Sequence, residues 1–259
     1  MEDAKMPITE HLGDFRKRII ISLAALFVTF LLCFYYSEDI FRFAMFPLKY
    51  NLNFSIRNIH INFVPQDKLH DTKLVFLAPA EAFWMNIKIA FVAGFILALP
   101  VIFHQLWKFI SPGLFQKEKK YVVPFIFLAT GLFLAGASFC FFIVLPFAME
   151  FLLTYKVGDF LTPMLSVGNY IDFCLKFVLA FGAIFELPIA IIFLTRMGIV
   201  TPKTLAKNRK YAILLAFVVA AILTPTPDAF NQTLMAIPII ILYEMSIIIS
   251  RILGRRKVE

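Results

Sequence analysis

Apolar runs of membrane-crossing length alternate with short polar segments along almost the whole chain. A helix needs about 20 apolar residues to cross a hydrocarbon core. The runs predict six spans, at approximately 19–36, 79–104, 122–147, 171–195, 211–224 and 233–250, in a single integral membrane domain, 1–259. The fifth and sixth are short. From Tyr211 to Thr224 a helix rises about 21 Å, against a core of about 30 Å. Either neighbouring spans bury its ends, or this side of the protein is thin and deforms the bilayer. In the first outer loop, EDIFRFAMFPLKY has helical apolar spacing and aromatic residues suited to an interface. FSIRNIHINFV alternates loosely, which permits a short strand or hairpin. No internal repeat is visible. The pattern predicts an all-α polytopic membrane protein.

Composition agrees. Of 259 residues, 61% are hydrophobic and 16% charged, with mean hydropathy +0.83, whereas soluble domains are about 45–50% apolar. The net charge of +8 does not point to nucleic acid, because the cations cluster between apolar spans, where lipid headgroups and the orientation rule account for them. Basic residues before span one, in the loops after spans two and four, and after span six make up 17 of the 25. The positive-inside rule therefore predicts both termini in the cytoplasm of a cell (inner) membrane protein. The polar start, MEDAKMPITEHLGDFRKR, precedes a run without a small-residue cleavage site, so that run is expected to be the first span and not a removed signal peptide. Trp84, Trp107, Tyr121 and Tyr211 fit interfacial anchoring.

Candidate chemistry is sparse. Cys33, Cys140 and Cys174 lie in apolar runs and make no CxxC motif, the four histidines lack metal-ligand spacing, and no nucleotide-binding or nucleophile-elbow motif occurs. Neither an enzyme, a metal nor a cofactor is expected. Two carboxylates stand out. Glu186 lies mid-span, ten residues from both Lys176 and Arg196, or about 15 Å, too far for a salt bridge. Pro188 follows and should bend the helix. Such an acid is either protonated and hydrogen-bonded in the bundle or faces a polar groove. Glu81 and Lys88 fit solvated ends of a long tilted helix, and Glu244 should reach the inner interface. The second carboxylate, Glu118, sits among Lys117, Lys119 and Lys120 in PGLFQKEKKY. It either dilutes the local charge by pairing with a neighbouring lysine or a first-span arginine, or accepts a cation from elsewhere. A carboxylate can hold the planar fork of an arginine bidentately, a geometry lysine cannot copy.

Several stretches resemble one family. ITEHLGDFRKRI resembles the HLxELRxRL signature of TatC, the core membrane subunit of the twin-arginine protein translocase. FHQLWKFISPGLFQKEKKYVVP resembles that family's first cytoplasmic loop, AFGAIFELPIAI its fourth span, and LTPTPDAFNQTLMAIPI its last outer turn. The resemblance implies a receptor and scaffold for twin-arginine signal peptides of folded cargo. It also implies assembly with TatB-type and TatA-type single-span subunits, a homo-oligomer within the complex, contact with membrane lipids, and export driven by the proton-motive force. Asp14 and Glu118 fall where the family's acidic signal-peptide residues lie, and Arg16, Phe109, Pro112 and Leu114 fall in the same two motifs. Pro47 matches the proline after the first span, Glu186 the fourth-span carboxylate used towards the cavity and partner subunits, and Asp228 the acid of the last outer turn.

Three positions depart from the pattern. The family usually has Glu where this chain has Asp14, and Leu at Phe15. Aspartate is one methylene shorter, so its reach falls by about 1.3–1.5 Å, which suggests action through water or a role secondary to Glu118. TPTPD replaces the commoner TPPD. A secondary transporter would need repeated broken helices and several intramembrane charges, and an intramembrane enzyme would need a nucleophile–base pair or metal ligands. The sequence contains neither set.

Overall fold

The computed structural model describes residues 8–55, 60–65, 74–110, 122–154, 165–224 and 228–254. The chain divides into two compact units, Met1–Phe43 with Phe83–Gly131, and Ala44–Ala82 with Leu132–Glu259.

In chain order the elements are α1 (Ile8–Tyr35), α2 (Ser37–Ala44), α3 (Phe46–Lys49), strands β1 (Tyr50–Ser55) and β2 (His60–Pro65), α4 (Glu81–Ile110), α5 (Val122–Phe139), a π-helical turn (Cys140–Val144), α6 (Leu145–Thr154), α7 (Val167–Phe185), α8 (Leu187–Arg196), α9 (Pro202–Lys207), α10 (Arg209–Leu223) and α11 (Ala229–Gly254). Among the described residues, five stretches are long and apolar enough to cross a membrane: Gly13–Tyr35, Glu81–Phe109, Val123–Leu153, Val167–Arg196 and Ala229–Ile252. At 15 residues, α10 is about 22 Å long and falls short of that length on its own. The sixth predicted span needs a correction. Its helix, α11, has 26 residues, because Asp228 caps it upstream of the apolar run and it continues past Ser250. The polar residues Asn231 and Gln232, which hide its first turn from an apolar-run count, are helical.

The stretch after the first apolar helix forms two short helices, α2 and α3, and the hairpin that its alternation permits. β1 and β2 pair antiparallel, from Tyr50 opposite Pro65 to Ser55 opposite His60. The fold is therefore helical with one hairpin among the described residues.

Each unit is held by glycines where helices meet closely. In the first unit, α1 and α4 touch backbone to backbone: a Cβ on Gly94 would lie 2.8 Å from the Phe30 backbone. Thr29 Oγ1 donates to the Gly94 carbonyl at 2.8 Å, satisfying a hydroxyl that lipid could not. In the second unit α5 and α7 interlock reciprocally. Gly136 faces the Phe181 carbonyl and Phe185, and Gly182 faces the Phe133 ring. The α10 helix packs on α11, and its two buried residues, Ala216 and Ala220, are small and four apart, as close helix approach requires.

The π turn has a local cause. Pro146 lacks an N–H and cannot bond the carbonyl one turn back. The preceding turn widens instead, Leu145 N–H bonding the Cys140 carbonyl. Phe46 packs against this widened turn, 6.1 Å from the Phe141 ring and 5.5 Å from Phe142. Pro47, in the first turn of α3, is buried beside it.

Candidate functional site

The N-terminal acidic motif lies on α1. A carboxylate and a guanidinium four residues apart face each other along a helix, and Arg18 Nη2 donates to Asp14 Oδ2 at 3.0 Å. The Arg18 side chain is 17% exposed and that of Asp14 40%, so the arginine is drawn in while its acceptor keeps an accessible side. Arg16 is exposed. The Phe15 and Phe109 rings stand 5.1 Å apart, tilted by 50°. Within the first unit this contact joins the start of the first span to the end of the second. It also accounts for Phe15, since an aromatic ring there gains a partner that leucine would touch less fully. Pro112, Leu114 and Glu118 lie outside the described residues, so the distance from Glu118 to Asp14 is not among the contacts.

Trp107 is not an interfacial anchor. It is 6% exposed and its ring lies 4.2 Å from that of Phe125. Trp84 and Tyr211 are exposed, as anchoring requires, and Tyr121 lies outside the described residues.

Glu186 occupies the break between α7 and α8. Its N–H bonds the Ala183 carbonyl at 3.1 Å and its own carbonyl accepts from Ala190 at 2.9 Å, so the break is a single tightened turn before Pro188. Glu186 Oε1 is buried with no hydrogen-bond partner among the described residues. Asp228 instead has full local employment. Its Oδ1 accepts from the Asn231 N–H at 2.7 Å and its Oδ2 from Asn231 Nδ2 at 3.0 Å, which makes it the N-cap of α11. Pro47, Glu186 and Asp228 lie in the second unit, on separate elements.

Two acids do more than their sequence context implies. Glu81 is not a merely solvated helix end. One carboxylate oxygen accepts from the N–H groups of Leu77 (2.6 Å) and Ala78 (3.3 Å), and the other from Gly168 N–H (2.6 Å) and the Ser166 hydroxyl. It thereby closes the turn into α4 and the start of α7 together. Val75 bridges the same place through backbone: its N–H bonds the Leu165 carbonyl and its carbonyl accepts from Val167, at 3.1 Å each. The sequence signal is a carboxylate at a helix start, but the second helix start comes from 85 residues away. Glu244 has a partner on another helix. It accepts from Arg209 Nη2 at 2.8 Å, tying the start of α10 to α11.

The comparisons fit this arrangement. The sequence profile of the TatC Sec-independent protein translocase family matches residues 10–238. The Sec-independent protein translocase protein TatC of Desulforapulum autotrophicum is 40% identical over 99% of this chain and 88% of its own length. That of Aquifex aeolicus is 41% identical over 98% of each chain. A crystal structure described as the twin arginine translocase receptor TatC superposes with a TM-score of 0.78 at 39% identity, covering 93% of this chain and 98% of its own. With matches of this extent, the chain belongs to the TatC family of Sec-independent protein translocases, a family of transport proteins and not of enzymes.

Proposed function

We propose that this chain is the receptor and scaffold subunit of a twin-arginine translocase. It binds the signal peptides of folded cargo at the cytoplasmic face, through Asp14 and Glu118 as carboxylate acceptors, with Arg16, Phe109, Pro112 and Leu114 shaping the surface around them. The observation that carries this reading is the Asp14–Arg18 pair. A guanidinium already sits on Asp14 at 3.0 Å, and the acid keeps enough exposure to exchange it. A part-exposed pair of this kind, screened by solvent on the open side of Asp14, is worth about 1 kcal/mol. A docked peptide with two arginines and further contacts is therefore able to displace Arg18 at small cost. The lysines around Glu118 repel single stray cations and favour such a multi-contact ligand.

The topology that serves this reading has six spans, the five long apolar stretches given above and the short α10, with both termini in the cytoplasm of the inner membrane. TatB-type and TatA-type subunits assemble on the spans, and further copies of the chain join the complex. Glu186 serves as the intramembrane polar contact for a partner. Its unpartnered Oε1 at a helix break supports that role, since a carboxylate in an apolar span is costly without a polar neighbour.

The test is photocrosslinking from position 118 to a twin-arginine peptide and to its Lys-Lys variant. Strong crosslinking to the first and its loss with the second is the expected result. Equal crosslinking to both means a generic acidic patch, and undiminished peptide binding by Glu118→Ala removes Glu118 from the site.

A further inference from the structure

Between the fourth span and α10 the chain runs from Arg196 to Tyr211 through a built turn. Gly198 takes φ +76°, a conformation that costs glycine little, and closes α8, its N–H bonding the Thr195 carbonyl at 3.1 Å. The Thr201 hydroxyl accepts from Thr204 N–H at 3.1 Å and caps α9, with Pro202 pre-set at its first turn. Tyr243 of α11 donates to the Leu205 carbonyl at 2.9 Å, and α9 packs on α11. The segment is thus a fixed shelf.

Its exposed surface has two parts. Met197 is 50% and Ile199 63% exposed, on a turn and not within a span. Lys203 and Lys207, one helical turn apart, are both exposed, as are Arg196 and Lys210. Among the described residues the only acid paired to this segment is Glu244, and it takes Arg209. Lys210 instead lies 5.1 Å over the exposed Tyr211 ring, and exposed apolar residues continue directly along α10 at Ile213, Leu214 and Leu215.

We propose that this shelf, Arg196–Tyr211, is a docking site for anionic phospholipid headgroups of the cytoplasmic leaflet, with Met197 and Ile199 entering the acyl boundary and Lys203 and Lys207 holding phosphate. Charge decides among occupants. A twin-arginine signal peptide is itself cationic and is repelled, and the chain's own terminal segment, with Arg255, Arg256 and Lys257, is basic too. An acidic soluble protein would satisfy the lysines but not Met197 and Ile199, whose exposure on a turn is matched by the exposed apolar residues Ile213, Leu214 and Leu215 at the start of α10. Tyrosine at the junction has the amphipathic ring that headgroup depth favours. Each cation near an anionic leaflet strengthens association about fivefold, and salt screens the effect. The proposal rests on the cytoplasmic placement of this segment given above.

The test uses the full chain in nanodiscs of phosphatidylcholine, alone or mixed with phosphatidylglycerol, followed by native mass spectrometry of retained lipid. Wild type should keep phosphatidylglycerol selectively, and K203Q/K207Q should weaken that retention about 25-fold without changing phosphatidylcholine. Both lysines are exposed, and an unchanged melting temperature checks that the variant is folded. In an Ile199→Trp protein whose native tryptophans are removed by Trp84→Phe and Trp107→Phe, emission of the introduced indole should be quenched by brominated lipid, more strongly with phosphatidylglycerol present. Equal phosphatidylglycerol retention by wild type and variant overturns the proposal. So does displacement of the lipid by an acidic peptide but not by salt-matched buffer, or competition by inorganic phosphate that leaves the Ile199→Trp protein unquenched. Because both faces of a nanodisc are open, lipid binding is read whatever the orientation. Signal-peptide crosslinking from position 118 in the same samples reports the receptor reading separately.

Discussion

At the scale of single residues, the acids of this chain divide by what already holds them. Asp228 is committed to Asn231, which is 1% exposed. Replacing it with alanine removes a helix cap worth about 1 kcal/mol and should lower the melting temperature in detergent, while Asp228→Asn, an equally good cap, should restore it. Transport that fails in the asparagine variant despite normal stability would show that the charge matters beyond the cap. Glu81 joins two helix starts through four donors. Glu81→Gln turns one acceptor oxygen into a donor facing an N–H, so amide exchange at Leu77 and Gly168 should rise together in hydrogen-exchange mass spectrometry. A rise at Leu77 alone would mean that the two helices are not coupled there. Asp14 differs from both because its partner, Arg18, is a group of the same type as the proposed ligand. Arg18→Ala should free the acid and strengthen twin-arginine peptide binding by up to about fivefold, the size of an exposed ion pair. Weaker binding would instead make Arg18 a support for Asp14.

At the scale of elements, close approach governs. A Cβ at Gly94 meets the Phe30 backbone at 2.8 Å, whereas one at Gly131 meets nothing within 4 Å. Gly94→Ala should therefore cost about 1–3 kcal/mol by overpacking, and Gly131→Ala should be neutral or stabilising by up to about 1 kcal/mol. Thermal unfolding of the two variants side by side measures the difference, and equal midpoints would show that α1 and α4 slide apart freely. The short α10 poses a different problem. It stops at Leu223, with Thr224 buried and its hydroxyl turned back to the Ala220 carbonyl at 2.9 Å. That self-satisfied end suits apolar surroundings, supplied either by neighbouring spans or by a locally thinned bilayer. Spin labels at Phe230, exposed in the first turn of α11, should keep one depth in thick-chain and thin-chain lipid vesicles if the bilayer adapts, and should lie deeper in thick-chain lipid if it does not.

At the scale of the whole molecule, the topology makes one linked prediction. Cysteines placed at Thr201 and at Ser37, both at ends of described helices, should be labelled from opposite sides of the membrane by an impermeant maleimide, Thr201 from the cytoplasm. Same-side labelling would break the six-span assignment. The native Cys33, Cys140 and Cys174 are buried and should stay unlabelled.

Periodicity, a local property of a chain in lipid, determined the helical class and the approximate positions of the long apolar helices, and it permitted the hairpin after α3 without deciding it. Motif residues alone sufficed to point to the family. The Asp14–Arg18 pair came from the structure, although its i,i+4 spacing is of the kind that faces two side chains together on a helix. What only the tertiary structure decided is where polar groups find partners far away in sequence. Glu81 closes a turn 85 residues on, Glu244 takes Arg209 from 35 residues away, and Trp107 turns inward onto Phe125. A carboxylate or an indole presents the same local pattern whether solvated or paired. The packing of distant helices settles which, because a buried polar group without a partner carries the full penalty of its lost hydration.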